Sequence, residues 1–521
     1  MKRYFRRGAT AALALGLCAC GGRDPDLDAP IVNTTLVGLN RAVVLADDPL
    51  ARVLVLESSD GELTSTELPV GQNIAALAPD VSGDGLFVLS GGVQPRRNPE
   101  DELPSLTWID TRESPRVTTR FELRELFSAL TLDPDGRWAV ATGAGENFVS
   151  NPNQLLFVDL ENPEREPVTK TIRSFGAAPE RLRFTEPLDI PGGLRRFLIV
   201  ETRQDLTLID LENLDAPEIT VQLPQTPSGA PGRSLQVVVH PGVEELPGDA
   251  RLAIRLENDP NVVLAHFTPD EGAEHPFNLT LNLVDVGGPP AELAFVNTDG
   301  GLRLAALVPG RRQGALVQLD TTRVEHVSLP AAFDRLQRVA EQSAAADAGD
   351  VALLWSKSSN MVAFWSLGRT DDRAVRSVDV LNLEARVVDV LDVPGDALGH
   401  RKLLSAEGSR FFVLDLERRQ SFPMLSSGNV TLTVAPDGMR AWAYAAGSSR
   451  FAKIDLDTLE PTSLELDRGV ERLFDIGAGP AGERSLIAIH GSGGRAATVL
   501  NALDPDTAET RFFPGLLLRG L

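Results

Sequence analysis

Three short strings in this chain contain residue types that could do chemistry. Gly477-Ala478-Gly479-Pro480-Ala481-Gly482 has the glycine spacing of a dinucleotide loop, and Asp504 follows some way on. That chemistry needs a helix whose N-terminus opens on the pyrophosphate. Here Arg484–Ile489 reads as a short apolar strand before the next glycine cluster, so the string is expected to be a turn. His490-Gly491-Ser492-Gly493-Gly494 lacks the glycine two residues before the serine that a nucleophile elbow requires. The six histidines, His240, His266, His275, His326, His400 and His490, never stand as H-x-H or H-x₃-H pairs, the usual local mark of a zinc or copper site. Asp133-Pro134-Asp135-Gly136 and Asp504-Pro505-Asp506 are too short for a calcium loop. The expectation is therefore no catalytic residue, no metal ligand and no cofactor-binding residue.

The elements around these strings are strands. Helical periodicity is nearly absent, and runs of four to eight Val, Ile, Leu and Phe residues alternate with Gly, Pro, Asp and Asn turns. One run recurs as alternating apolar residues ending in Asp and a further apolar residue. Examples are Leu155-Leu156-Phe157-Val158-Asp159-Leu160, Leu206-Thr207-Leu208-Ile209-Asp210-Leu211 and Phe451-Ala452-Lys453-Ile454-Asp455-Leu456. Weaker copies fall near Leu56, Ile109, Val284, Leu319, Val380 and Leu500. A second element, Pro134-Asp135-Gly136 or Pro436-Asp437-Gly438, sets one hairpin turn per unit, with proline presetting φ and glycine accepting positive φ. A third opens some units: Glu180-Arg181-Leu182, Asp334-Arg335-Leu336 and Glu471-Arg472-Leu473.

One unit thus reads as four antiparallel strands, the size of a propeller blade. The pattern resembles the YVTN-type and TolB-like bacterial β-propellers over residues 31–521. The resemblance implies an all-β chain with a single β-propeller, for which eight blades are expected within a range of seven to ten. The units at 347–391 and 398–424 are the weakest. Candidate inner strands are 128–132, 181–184, 293–296 and 430–434, and the longer connections 91–104, 143–153, 224–232 and 268–277 are candidate contact surfaces.

The N-terminus decides the compartment. Met1–Arg7 is basic, and about nine apolar residues, 9–17, follow it, which suits a secretory signal and is too short to span a bilayer. Leu17-Cys18-Ala19-Cys20 resembles a bacterial lipobox, with the small Ala19 before the cysteine. By that resemblance residues 1–19 are a lipoprotein signal peptide cut after Ala19, and Cys20 carries the lipid. Cys18 is a poorer attachment site because Leu17 would precede it. Residues 20–30 read as a flexible tether, and Gly21 after the cysteine favours the outer membrane. Once cut, the chain has no cysteine except the acylated one, so no disulfide is expected. Net charge is −23, which argues against nucleic acid as a partner. Only five of the fifty basic residues are lysine, and the arginines are scattered in sequence. The expectation is a lipid-anchored, non-catalytic scaffold of the cell envelope that binds a protein or glycan. The alternative is a propeller enzyme, lactonase-like or quinoprotein-like, using a metal or cofactor in the axial channel.

Overall fold

The structure is a computed structural model that describes residues 35–516 apart from 60–61, 113, 144–150, 163–164, 175–177, 226–231, 243–248, 271–276, 340–349, 369–375, 394–400, 409, 427–429, 437, 479–482, 492–495, 504 and 506–509. Strands dominate it, and among the described residues helix is limited to two single 3-10 turns, Asp48–Leu50 and Pro309–Arg311.

Ten four-stranded antiparallel sheets follow one another along the chain, covering 36–69, 74–122, 129–171, 181–222, 234–285, 292–328, 335–382, 387–426, 431–470 and 472–514. Within each sheet the strands pair in chain order, which makes ten blades of a β-propeller. Among the described residues, blade four alone carries an inserted hairpin, Leu188–Ile190 with Gly193–Arg195, between its first and second strands.

The count is ten and not eight, at the top of the expected range, and the two weakest units are the complete blades seven and eight. The Asp-ended copies near Val284 and Val380 are misleading for the count, because they lie on fourth strands, Phe277–Asp285 and Val378–Asn382. The true third strands there, Asn261–Pro269 and Met361–Ser366, contain no Asp.

Elsewhere the terminal Asp has a clear local role. Asp159 Oδ1 accepts the amides of Glu161 and Asn162, Asp210 Oδ1 accepts that of Glu212, and Asp455 Oδ1 accepts those of Asp457 and Thr458. Each carboxylate thereby starts the turn into the fourth strand. The Pro-Asp-Gly turns also fold as expected. Gly136 N–H bonds Asp133 O with φ at 76°, and Gly438 N–H bonds Ala435 O with φ at 68°.

Alternation along the second strands closes the ring. In blade one, Ala42, Val44 and Ala46 pack against blade two, while Val43 and Leu45 pack against blade ten. In blade four, Phe197 and Ile199 face blade five, and Leu198 and Val200 face blade three. Every neighbouring pair of blades shares one such apolar cluster, and the cluster joining Ile476, Ile487 and Val499 of blade ten to Leu54 and Leu56 of blade one completes the circle. Each fully buried Leu, Ile, Val or Phe contributes roughly 1.5–3 kcal/mol, so the junctions hold the ring together. We call the face where first strands begin the upper face. The described chain enters there at residue 35 and its last strand, Arg511–Pro514, ends there.

Candidate functional site at the mouth of the ring

First strands are the inner edges of the blades, and those of neighbouring blades approach one another around the axis. All four inner strands expected from the sequence fall on first strands: Ala129–Leu132, Arg181–Phe184, Glu292–Thr298 and Thr431–Val434. An edge strand leaves backbone groups unpaired, and side chains from the preceding blade cover some of them. Arg181 of blade four donates to Ser234 O at 2.8 Å and Leu235 O at 2.6 Å in blade five. Gln236 of blade five accepts from Leu293 N–H at 2.9 Å and donates to Leu293 O at 3.1 Å in blade six.

The acidic-Arg-Leu triplets open their strands on the upper face. The amides of Glu180, Asp334 and Glu471 each bond a carbonyl at the end of the second strand, at Glu201, Trp355 and Ile489 respectively. Ala291 N–H bonds Leu307 O in the same way, so Ala291-Glu292-Leu293 is the blade-six counterpart, with glutamate in the arginine's place.

That replacement produces an unusual cluster. Glu292 is reached from both sides: Gln236 Nε2 of blade five lies 3.5 Å from its Oε1, and Arg335 Nη1 of blade seven lies 3.9 Å from its Oε2. Among the described residues, Glu292 Oε2 is buried with no hydrogen-bond donor, and so is Asp334 Oδ1 beside it. Burial pushes Glu292 above the ordinary glutamate value, against the pull of Arg335, the Leu336 amide and Arg255. Arg255, at the end of the second strand Arg251–Leu256 of blade five, donates to Pro290 O at 3.4 Å, and its Nε is buried without an acceptor among the described residues. Burial lowers Arg255, Glu292 opposes that, and Arg335 and Arg181 add to it. Arg196 shows the opposite behaviour, raised by its hydrogen bonds to Asp133.

Arginine–carboxylate clusters also occur at blade junctions, and there they contain close pairs. Arg196 of blade four donates to both oxygens of the buried Asp133, at 3.0 and 2.5 Å, and to Thr185 O. The Asp475 carboxylate, 1% exposed, accepts Trp442 Nε1 of blade nine at 2.9 Å and Arg484 Nε at 2.7 Å, with Arg440 Nε at 3.6 Å. Near Asp475 the lower face holds a cavity of about 320 Å³ between blades nine, ten, one and two, with Leu39, Pro79, Val434, Phe474 and Ile476 among its walls.

Cys20, the expected lipid attachment point, lies outside the described residues. The connection 91–104 is described in full and leaves the upper face, tied down where Asn73 Nδ2 donates to Gly92 O. Parts of 143–153, 224–232 and 268–277 lie outside the described residues, as do His275 and His400. His490 ring nitrogens contact Gly469 O and Thr498 Oγ1, and His240 stacks edge-on against Phe295, so both are packed strand residues. Gly477 and Ala478 end one strand and Glu483 begins the next, a hairpin and not a helix start. Among the described residues, no three His, Cys, Asp or Glu side chains are disposed to hold a metal, and no helix is long and apolar enough to cross a membrane. Arg255 and Glu292 do not stand out in the sequence. The signal that points to them is positional, the charge reversal at Glu292 within the triplet.

No protein-family model matches the chain, and no curated protein matches it in sequence. Solved structures similar to it include dihydro-heme d1 dehydrogenase NirN in complex with DHE, at 15% identity and a TM-score of 0.41 over 72% of this chain and 78% of that one. Apo AztD from Citrobacter koseri matches at 11% identity and a TM-score of 0.38 over 87% and 98%. BBS1N in complex with ARL6DN matches at 10% identity and a TM-score of 0.36 over 74% and 92%. None of them carries its ligand or activity over to this chain.

Proposed function

We propose that this chain is a lipid-anchored β-propeller of the bacterial cell envelope, held at the outer membrane through Cys20, and that it serves as a non-catalytic scaffold for a protein or glycan partner. The observation that carries this reading is where the chain enters the ring. Residue 35 joins blade one on the upper face, and the connections 91–104, 143–153 and 224–232 join strand ends on that same face. Fourteen residues, 21–34, separate Cys20 from that point, a reach of at most roughly 50 Å. The self-closing ring supports a scaffold role, because its loops can vary without disturbing the apolar junctions.

Cys20→Ala tests the anchor. The variant is expected to leave the membrane fraction or to remain unprocessed. Normal maturation with unchanged membrane fractionation refutes the anchor. A photo-crosslinker within 91–104 tests the scaffold, and one reproducible envelope protein or glycan adduct is expected. Stoichiometric metal in the purified protein instead favours a channel enzyme.

A further inference from the structure

We propose that the mouth of the ring over blades five to seven binds a small zwitterion, with Arg255 and Arg335 taking its oxyanion and Glu292 with Asp334 taking its ammonium group. This site stands on the described blades and does not depend on the lipid anchor.

Three observations carry the proposal. First, the cluster brings opposite charges together without pairing them. Among the described residues, Arg255 has no carboxylate within ion-pair distance, and the nearest approach of Glu292 to a cation is the 3.9 Å to Arg335. Two positive and two negative groups are present, so an ion of either sign alone would unbalance the site, while a zwitterion leaves the sum unchanged. Second, the partners that could quench these charges are already used. Gln236 is held by the Leu293 backbone at both ends of its amide, and Arg181 is held by Glu201 at 2.6 Å and by the blade-five carbonyls. Third, the groups come from three consecutive blades on the mouth of the channel, and they are partly open to solvent, with the Arg335 side chain 45% exposed and that of Glu292 24% exposed. A guanidinium presents a planar fork that matches a carboxylate or phosphate, and a carboxylate accepts an ammonium from several directions.

An α-amino acid and an ethanolamine phosphate headgroup share this chemistry. Calorimetric titration of the mature full-length protein in an uncharged maltoside detergent separates them, with glycine and O-phosphoethanolamine as probes. Acetate and methylammonium supply the two charges on separate molecules. At least one zwitterion is expected to bind, and which one does so identifies the source. Acetate and methylammonium, alone or mixed, are expected not to bind measurably. Arg255→Gln and Glu292→Gln are each expected to weaken binding about tenfold or more. Arg335→Lys keeps the charge and is expected to retain more affinity than Arg335→Gln, which guards against misreading a folding defect. Arg303→Gln, which breaks a pair with Glu325 in blade six, is expected to leave binding unchanged. The proposal fails if neither zwitterion binds, if acetate binds as tightly as the zwitterions, or if Glu292→Gln binds like the parent protein.

Discussion

The junction between blades three and four and the mouth over blades five to seven use the same residue types and reach opposite results. At the junction, Arg196 and Asp133 form a forked pair, 10% and 0% exposed, inside a Pro-Asp-Gly turn. At the mouth, Arg255, Arg335, Glu292 and Asp334 gather within reach of one another, yet no two of their charged groups make a close pair. The difference lies in what each charge can reach. Asp133 sits at the end of an inner strand where the neighbouring blade presents Arg196 directly. Glu292 occupies the place of an arginine in a repeated triplet, so it meets cations arranged for a different neighbour. Charges that satisfy each other hold the ring together, and charges that do not are available to a ligand.

The largest expected effect breaks the satisfied member of the comparison. Asp133→Ala leaves the buried Arg196 only the half-exposed Asp135 as counter-ion, at 3.0 Å, and the cost is on the order of 3 kcal/mol, read as a fall in the urea midpoint with the slope unchanged. Adding Arg196→Met removes the under-compensated charge and is expected to recover much of the loss. If the single and double variants unfold alike, the pair contributes by packing alone. Trp442→Phe is a gentler break of the second latch. It deletes one hydrogen bond to Asp475 and keeps the ring shape, for about 1 kcal/mol, by the same measurement.

The repeat is legible in the sequence because its signals are local. Asp159, Asp210 and Asp455 bond amides two or three residues away, and Gly136 and Gly438 need positive φ for their own turns. Blade number is not local. Blades five and seven close their third strands without Asp, and their identity comes only from pairing with neighbours. The hairpin of blade four is equally hidden, since Asp189 finds its partners at Pro241 and Ala250 of the next blade. The mouth cluster is the extreme case. Arg255, Glu292 and Arg335 lie far apart in the chain and meet only because inner strands begin, and second strands end, on the same face of consecutive blades. Their scatter in sequence therefore says nothing about their scatter in space. The Arg-Leu triplets are readable in advance, and the significance of a glutamate among them appears only with the register.

The smallest effect is the most discriminating one. Glu292 is raised by burial, so the folded protein holds its proton more tightly than the unfolded chain does. The associated stability is fully present below the ordinary glutamate value of about 4.3 and is lost as pH rises through the folded value. Asp110 has the opposite sign. Hydrogen bonding to Arg112 lowers it, so its contribution is present above the ordinary aspartate range and disappears as pH falls. Glu292→Gln removes the carboxylate that is costly at neutral pH. It is expected to raise stability near pH 7 by less than about 1 kcal/mol because the group is partly solvated, read as a small rise in melting temperature, with no gain below about pH 4. The same variant is expected to lose zwitterion binding, so stability and recognition move in opposite directions at one residue. At Asp133, by contrast, substitution lowers stability and leaves the mouth untouched. A Glu292→Gln protein that is less stable at neutral pH makes the mouth another latch, and the contrast between the two regions then collapses.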